Sequence, residues 1–176
     1  GPHYAAAVVH TPAAGPLLVM SIHPDAGGYI GDRRDRKRVL QVRQIVRTIE
    51  RFRAGTLGLE LRRYRNAPIV VVGDYNLVGS REPMNMLEAP GVELTHWKLR
   101  NLVDGTIQTW RAGGNETFAP GMLDCVAYDA RRLQRRKGFI LDTAKLTPAE
   151  LKRYNLLADD SRFSDHLMLV SDFQVR

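Results

Sequence analysis

Pro68-Ile69-Val70-Val71-Val72-Gly73-Asp74-Tyr75-Asn76 is the stretch on which the reading of this chain turns. An unbroken β-branched run bounded by Pro68 and Gly73 predicts a strand buried on both faces. The strand ends in a carboxylate and an amide two residues apart. On an extended segment such residues point the same way, so Asp74 and Asn76 are expected to face one bound group while Tyr75 turns inward. Two more apolar runs end in chemistry of the same kind. Leu17-Leu18-Val19-Met20 leads into Ser21-Ile22-His23, and Ser164-Asp165-His166 precedes Leu167-Met168-Leu169-Val170. Carboxylates and imidazoles at strand ends suit a hydrolytic site built on one edge of a sheet.

The rest of the chain supplies a mixed α/β pattern. Tyr4–Val9 and Pro16–Ile22 are expected to form a hairpin, followed by a glycine-rich loop from Pro24 to Gly31. Val39, Val42, Ile45, Val46, Ile49 and Phe52 recur at helical spacing, with Asp32 as N-cap and Asp35 in the first turn. Arg43, Arg47 and Arg51 line the opposite face. Leu57–Tyr64 is read as a short helical continuation, and Pro83–Leu87 as one or two helical turns. Val92–Leu94, Thr109-Trp110, Leu123–Tyr128, Phe139–Asp142 and Leu167–Phe173 are read as strands, and residues 111–115 as a turn. Thr147-Pro148-Ala149-Glu150 is a capping box that starts a helix reaching about Tyr154.

At 176 residues the chain is long enough for one domain with a real core. Gly1-Pro2 reads as a remnant of tag cleavage, so residues 1–3 are set aside and 4–176 are taken as a single domain. The single cysteine, Cys125, excludes an intrachain disulfide and a cysteine-rich metal site. No apolar run approaches the roughly 20 residues of a membrane span. The net charge is +7, with 12 of the 26 basic residues between Arg33 and Arg65 and a second cluster at Arg131, Arg132, Arg135, Arg136 and Lys137. That balance favours polyanionic partners, including nucleic acid, or an arginine-rich solvated surface.

Gly-Asp-Tyr-Asn at 73–76, Leu123-Asp124, Ser-Asp-His at 164–166 and His23 closing a strand resemble, in order and spacing, the endonuclease/exonuclease/phosphatase (DNase I-like) superfamily. The resemblance runs from about Tyr4 to Val175. It implies a four-layered α/β sandwich and hydrolysis of a phosphoester, with a phosphodiester expected, using Mg²⁺ or Mn²⁺. By matching motif, Asp74 would activate water and Asn76 would hold the phosphate or a metal-bound water. Asp165 would ligate the metal. His166 would donate to a phosphoryl oxygen, oriented by Asp124, and His23 would contact the phosphate as general acid. The family pattern also carries an asparagine and a metal-binding glutamate on strands that would precede Tyr4. No glutamate here stands in that place. The sandwich is therefore expected to lack its N-terminal strands, to leave apolar surface uncovered along Tyr4–Val9 or Leu17–Ile22, and to self-associate or pair with a missing N-terminal segment. Met122, Cys125 and Met168 depart from the family pattern, the first by removing a basic residue before Leu-Asp. A catalytically inactive phosphate- or nucleic-acid-binding relative, or an inactive fragment, is the alternative.

Overall fold

The computed structural model describes residues 3–12, 15–78, 80–111 and 121–176. Its larger sheet contains β1 (Tyr4–Thr11), β2 (Gly15–Ile22), β3 (Ile69–Asp74), β4 (Thr95–His96) and β5 (Asp124–Tyr128), in the spatial order β1-β2-β3-β5-β4. Strands β2 and β3 run parallel, and the other neighbours are antiparallel. A second sheet pairs β6 (Leu133–Leu141) with β7 (Met168–Val175). The helices are α1 (Arg33–Arg53), α2 (Glu82–Glu88) and α3 (Pro148–Tyr154).

Strand β3 is buried on both faces, and its alternation distributes it between two cores. Ile69 and Val71 join Leu18, Met20, Ile22, Cys125 and Ala127 against Val42, Ile45, Ile49 and Phe52 of α1. Val70 joins Val126, Tyr128, Ile140 and Leu167, with Leu169 and Phe173 of β7 packed alongside. One face of the large sheet is thus covered by helices and the other by the small sheet, which is the layered arrangement expected. Leu17, Val19, Val70, Val72, Leu169 and Phe173 also line an open cleft of about 440 Å³ between the sheets. Strand β1 is an edge strand on which Val9 is 42% exposed.

Local signals predicted several boundaries well. The Asp32 carboxylate accepts the Asp35 amide at 2.7 Å and opens α1. Thr147 and Glu150 form the reciprocal capping box of α3. Elsewhere tertiary context prevailed. Val92–Leu94 is not a strand: Glu93 has φ +52°, and the amides of Val92 and Leu94 bond back to Ala89 and Leu87. The strand there is Thr95–His96. Thr109-Trp110 makes a single bridge, Trp110 to His166, not an edge strand. The expected continuation after α1 reduces to a 3₁₀ turn at Arg62–Tyr64, because Gly55 at φ +71° ends the helix. Strand β6 starts six residues before the expected Phe139. Its polar Gln134–Lys137 segment and a bulge between Arg135 and Gly138 hide the alternation. Residues 112–115 of the expected turn lie outside the described residues.

Candidate active site

Register assembles the site. The β3–β5 pairing sets Asp74 directly opposite Asp124. The parallel β2–β3 pairing sets Ile22 beside Gly73, so His23 emerges next to Asp74. The start of β7 is drawn in by the Trp110–His166 bridge. Asp74 Oδ2 consequently lies between two imidazoles, 3.6 Å from His23 Nε2 and 3.8 Å from His166 Nε2. His166 Nδ1 is 2.7 Å from Asp124 Oδ2. With Asp124 ionised, that nitrogen donates and the Nε2 edge is left facing Asp74.

The electrostatics follow from this packing. Burial of the Asp74 carboxyl, 15% exposed, raises its pKa above the ordinary carboxylate value. The negative charge of Asp124 adds to the rise, while the Asn76 amide and the two histidines oppose it. The result is a more basic carboxylate than one in water. At His166 burial disfavours the charged ring, but the hydrogen bond to Asp124 and the charges of Asp124, Asp74 and Asp165 together raise its pKa above the ordinary histidine value. His23 is different in kind: its ring is 74% exposed, on the open side of the cluster.

Asn76 corrects the extended-chain expectation. It has φ +50°, so β3 has already ended and Asp74 and Asn76 do not share a strand face. The Asn76 backbone amide donates to Asp74 Oδ1 at 2.7 Å, and its side-chain amide donates to the Pro24 carbonyl at 2.8 Å. It joins the β3 end to the loop after His23. Tyr75 points into the core as expected and is fully buried. Asp165 is engaged by Trp110. Its carboxylate accepts Trp110 Nε1 at 3.2 Å, and that bond lowers its pKa. Among the described residues no group of three His, Cys, Asp or Glu side chains is placed to hold a metal ion.

Two supports were not legible in the sequence. Arg38 belongs to the basic cluster between Arg33 and Arg65, yet it is 0% exposed. Its guanidinium donates to the carbonyls of Asp25 at 2.6 Å and Gly27 at 3.2 Å and pairs with Asp35 at 3.4 Å. Asp35 in turn accepts from the Gly31 amide and the Ser80 hydroxyl, and Gln41 accepts the Asp25 amide. This network fixes the 24–31 loop that carries the Pro24 carbonyl. The available signal was spacing: Asp35, Arg38, Val42, Ile45 and Ile49 follow one helix face. The second support is Thr109, buried beneath Asp124.

No family model and no curated relative matches the sequence. Solved structures do. The human Nocturnin catalytic domain with bound sulfate anion superposes with a TM-score of 0.60 at 20% identity, over 98% of this chain and 53% of that one. The endonuclease/exonuclease/phosphatase from Beutenbergia cavernae DSM 12333 gives a TM-score of 0.59 at 18% identity, over 98% and 39%. D. rerio TDP2 complexed with single strand DNA product gives 0.56 at 17%, over 97% and 61%. The chain therefore has the DNase I-like fold of the endonuclease/exonuclease/phosphatase proteins. It spans about half the length of the solved structures it matches.

Proposed function

We propose that this chain carries the acid–base centre of a phosphoester hydrolase, with a phosphodiester as the favoured substrate. The observation that supports it best is the Asp74 carboxylate between His23 and His166, with His166 held by Asp124. Asp74, made more basic by burial, takes the proton of the attacking water as its oxygen bonds to phosphorus. His166 in its charged form donates through Nε2 to a non-bridging phosphoryl oxygen, and Asp124 stabilises that charge. His23, exposed beside Asp74, gives a proton to the departing oxygen as the phosphorus–oxygen bond breaks. Asn76 acts by holding the Asp74 carboxylate and the Pro24 carbonyl. A divalent cation, when bound, would neutralise phosphate charge. Asp165 would be one ligand to it, and among the described residues no group of three His, Cys, Asp or Glu side chains completes the set.

The net charge of +7 suits a polyanionic substrate such as nucleic acid, and one structural neighbour is a complex with a single-strand DNA product. The test is hydrolysis of bis(p-nitrophenyl) phosphate and of an oligonucleotide, with Mg²⁺, with Mn²⁺ and with chelator. It is run on this chain and on any longer polypeptide its gene encodes. Asp74→Asn and His166→Ala should each lower turnover by about 10²–10⁴. Turnover that survives both substitutions would overturn the assignment. Oligonucleotide binding without turnover in any form would shift the reading to the binding-only relative.

A further inference from the structure

We propose that Thr109 is a positioning residue that holds the Asp124–His166 pair in register, joining two strand ends that share no ladder. Thr109 is 1% exposed, and every polar atom with a described bond is directed at the site's framework. Its hydroxyl oxygen accepts two amides, Leu123 and Asp124, each at 3.0 Å. Both lone pairs of that oxygen are thereby used. Its carbonyl accepts the Leu167 amide at 2.6 Å, and its own amide donates to the Gly121 carbonyl at 3.3 Å. One residue thus clasps the residue before Asp124, Asp124 itself and the residue after His166.

The neighbours of Thr109 extend the clasp. Trp110 Nε1 donates to the Asp165 carboxylate, and the Arg111 amide donates to the Asp165 carbonyl at 2.7 Å. The Arg111 guanidinium is tied to Asp142 at 2.6 Å and to Ser161 at 2.8 Å. Strand β5 belongs to the large sheet and β7 to the small one, and no ladder connects them. The 109–111 segment therefore supplies described backbone bonds that bring Asp124 and His166 to 2.7 Å. Thr109 touches no reacting atom in this arrangement and acts through the pair.

The inference rests on the phosphoester reading for its rate arm only. Thr109→Val keeps the branched shape but removes the acceptor for the Leu123 and Asp124 amides. Thr109→Ser keeps the acceptor, and Thr109→Ala leaves room for a water to take its place should the valine variant fail to fold. The spectroscopic readout is the downfield His166 Nδ1 proton hydrogen-bonded to Asp124, which needs no turnover. In Thr109→Val, or in Thr109→Ala, that resonance should move upfield or exchange away while the methyl spectrum stays folded, and Thr109→Ser should restore it. Where phosphodiester turnover is present, kcat should fall about 10- to 100-fold with KM little changed, the response to a small misplacement of a donor. A folded valine or alanine variant with the wild-type resonance and kcat overturns the proposal. An altered resonance in a protein with no turnover in any form upholds Thr109 and removes the hydrolase reading instead.

Discussion

Replacing Gly73 by alanine tests how closely the two strands beneath the site must approach. Gly73 has φ +131°, a region that side-chain-bearing residues rarely enter. A Cβ there would lie 2.2 Å from the Ile22 carbonyl oxygen and 2.9 Å from the Ile22 nitrogen. Both are backbone atoms of the parallel neighbour, so no side chain can swing away. Real Cβ contacts essentially never fall under 3.0 Å, so the strands would have to separate by about 0.8 Å, the shortfall at the oxygen. Backbone strain of about 1–3 kcal/mol and overpacking of a similar size give a combined cost of about 2–6 kcal/mol. That is a large share of the roughly 5–15 kcal/mol that holds a typical domain together. The separation falls between Ile22 and Gly73, the residues that place His23 against Asp74. Urea unfolding followed by tryptophan fluorescence gives the stability, and phosphodiester turnover per folded molecule gives the functional effect. A Gly73→Ala protein within about 0.5 kcal/mol of wild type, the range of a neutral surface change, would refute the close-approach argument.

Further expectations follow from the buried charges. Asp124→Asn keeps an acceptor for His166 but removes the negative charge that helps raise the His166 pKa, so the alkaline limb of the pH–rate profile should move to lower pH. An unmoved limb would show that another group titrates there. Asp74→Asn should sharply lower turnover yet stabilise the fold. Burial raises the folded-state pKa of Asp74 above its unfolded value, so its contribution to stability is complete at low pH and lost as pH rises through the folded pKa. The gain in Tm should therefore appear at neutral pH and vanish below the ordinary carboxylate range; an equal gain at both would refute it. Arg38→Ala should cost about 3–5 kcal/mol in chemical unfolding, because it leaves Asp35 as a buried charge without its partner. A loss under about 1 kcal/mol would mean that the network is not the anchor of the 24–31 loop.

What the sequence determined by itself is what depends on neighbours along the chain. Apolar runs predicted β2 and β3 because a strand packed on a core needs an uninterrupted run of apolar side chains. The helical period of Val42, Ile45, Ile49 and Phe52 predicted the core face of α1, and Asp32 and the Thr147–Glu150 box predicted two helix starts, since a cap bonds within three residues. The residues of the cluster were legible as well: His23, Asp74, Asp124 and His166 all border apolar strands, and they do meet. Their geometry was decided only in three dimensions. Asp74 faces Asp124 because of an antiparallel register formed across fifty residues of chain, and no local pattern encodes register. Asn76 turned into a left-handed position because the Asp74 carboxylate and the Pro24 carbonyl together claim its two amides. Arg38 reads as a surface arginine until the loop carbonyls of Asp25 and Gly27 close over it. Thr109 reads as one residue of an edge strand until both strand ends it joins have come to it from opposite sheets. Burial and hydrogen bonding between distant segments set these roles, and only the folded chain brings those segments together.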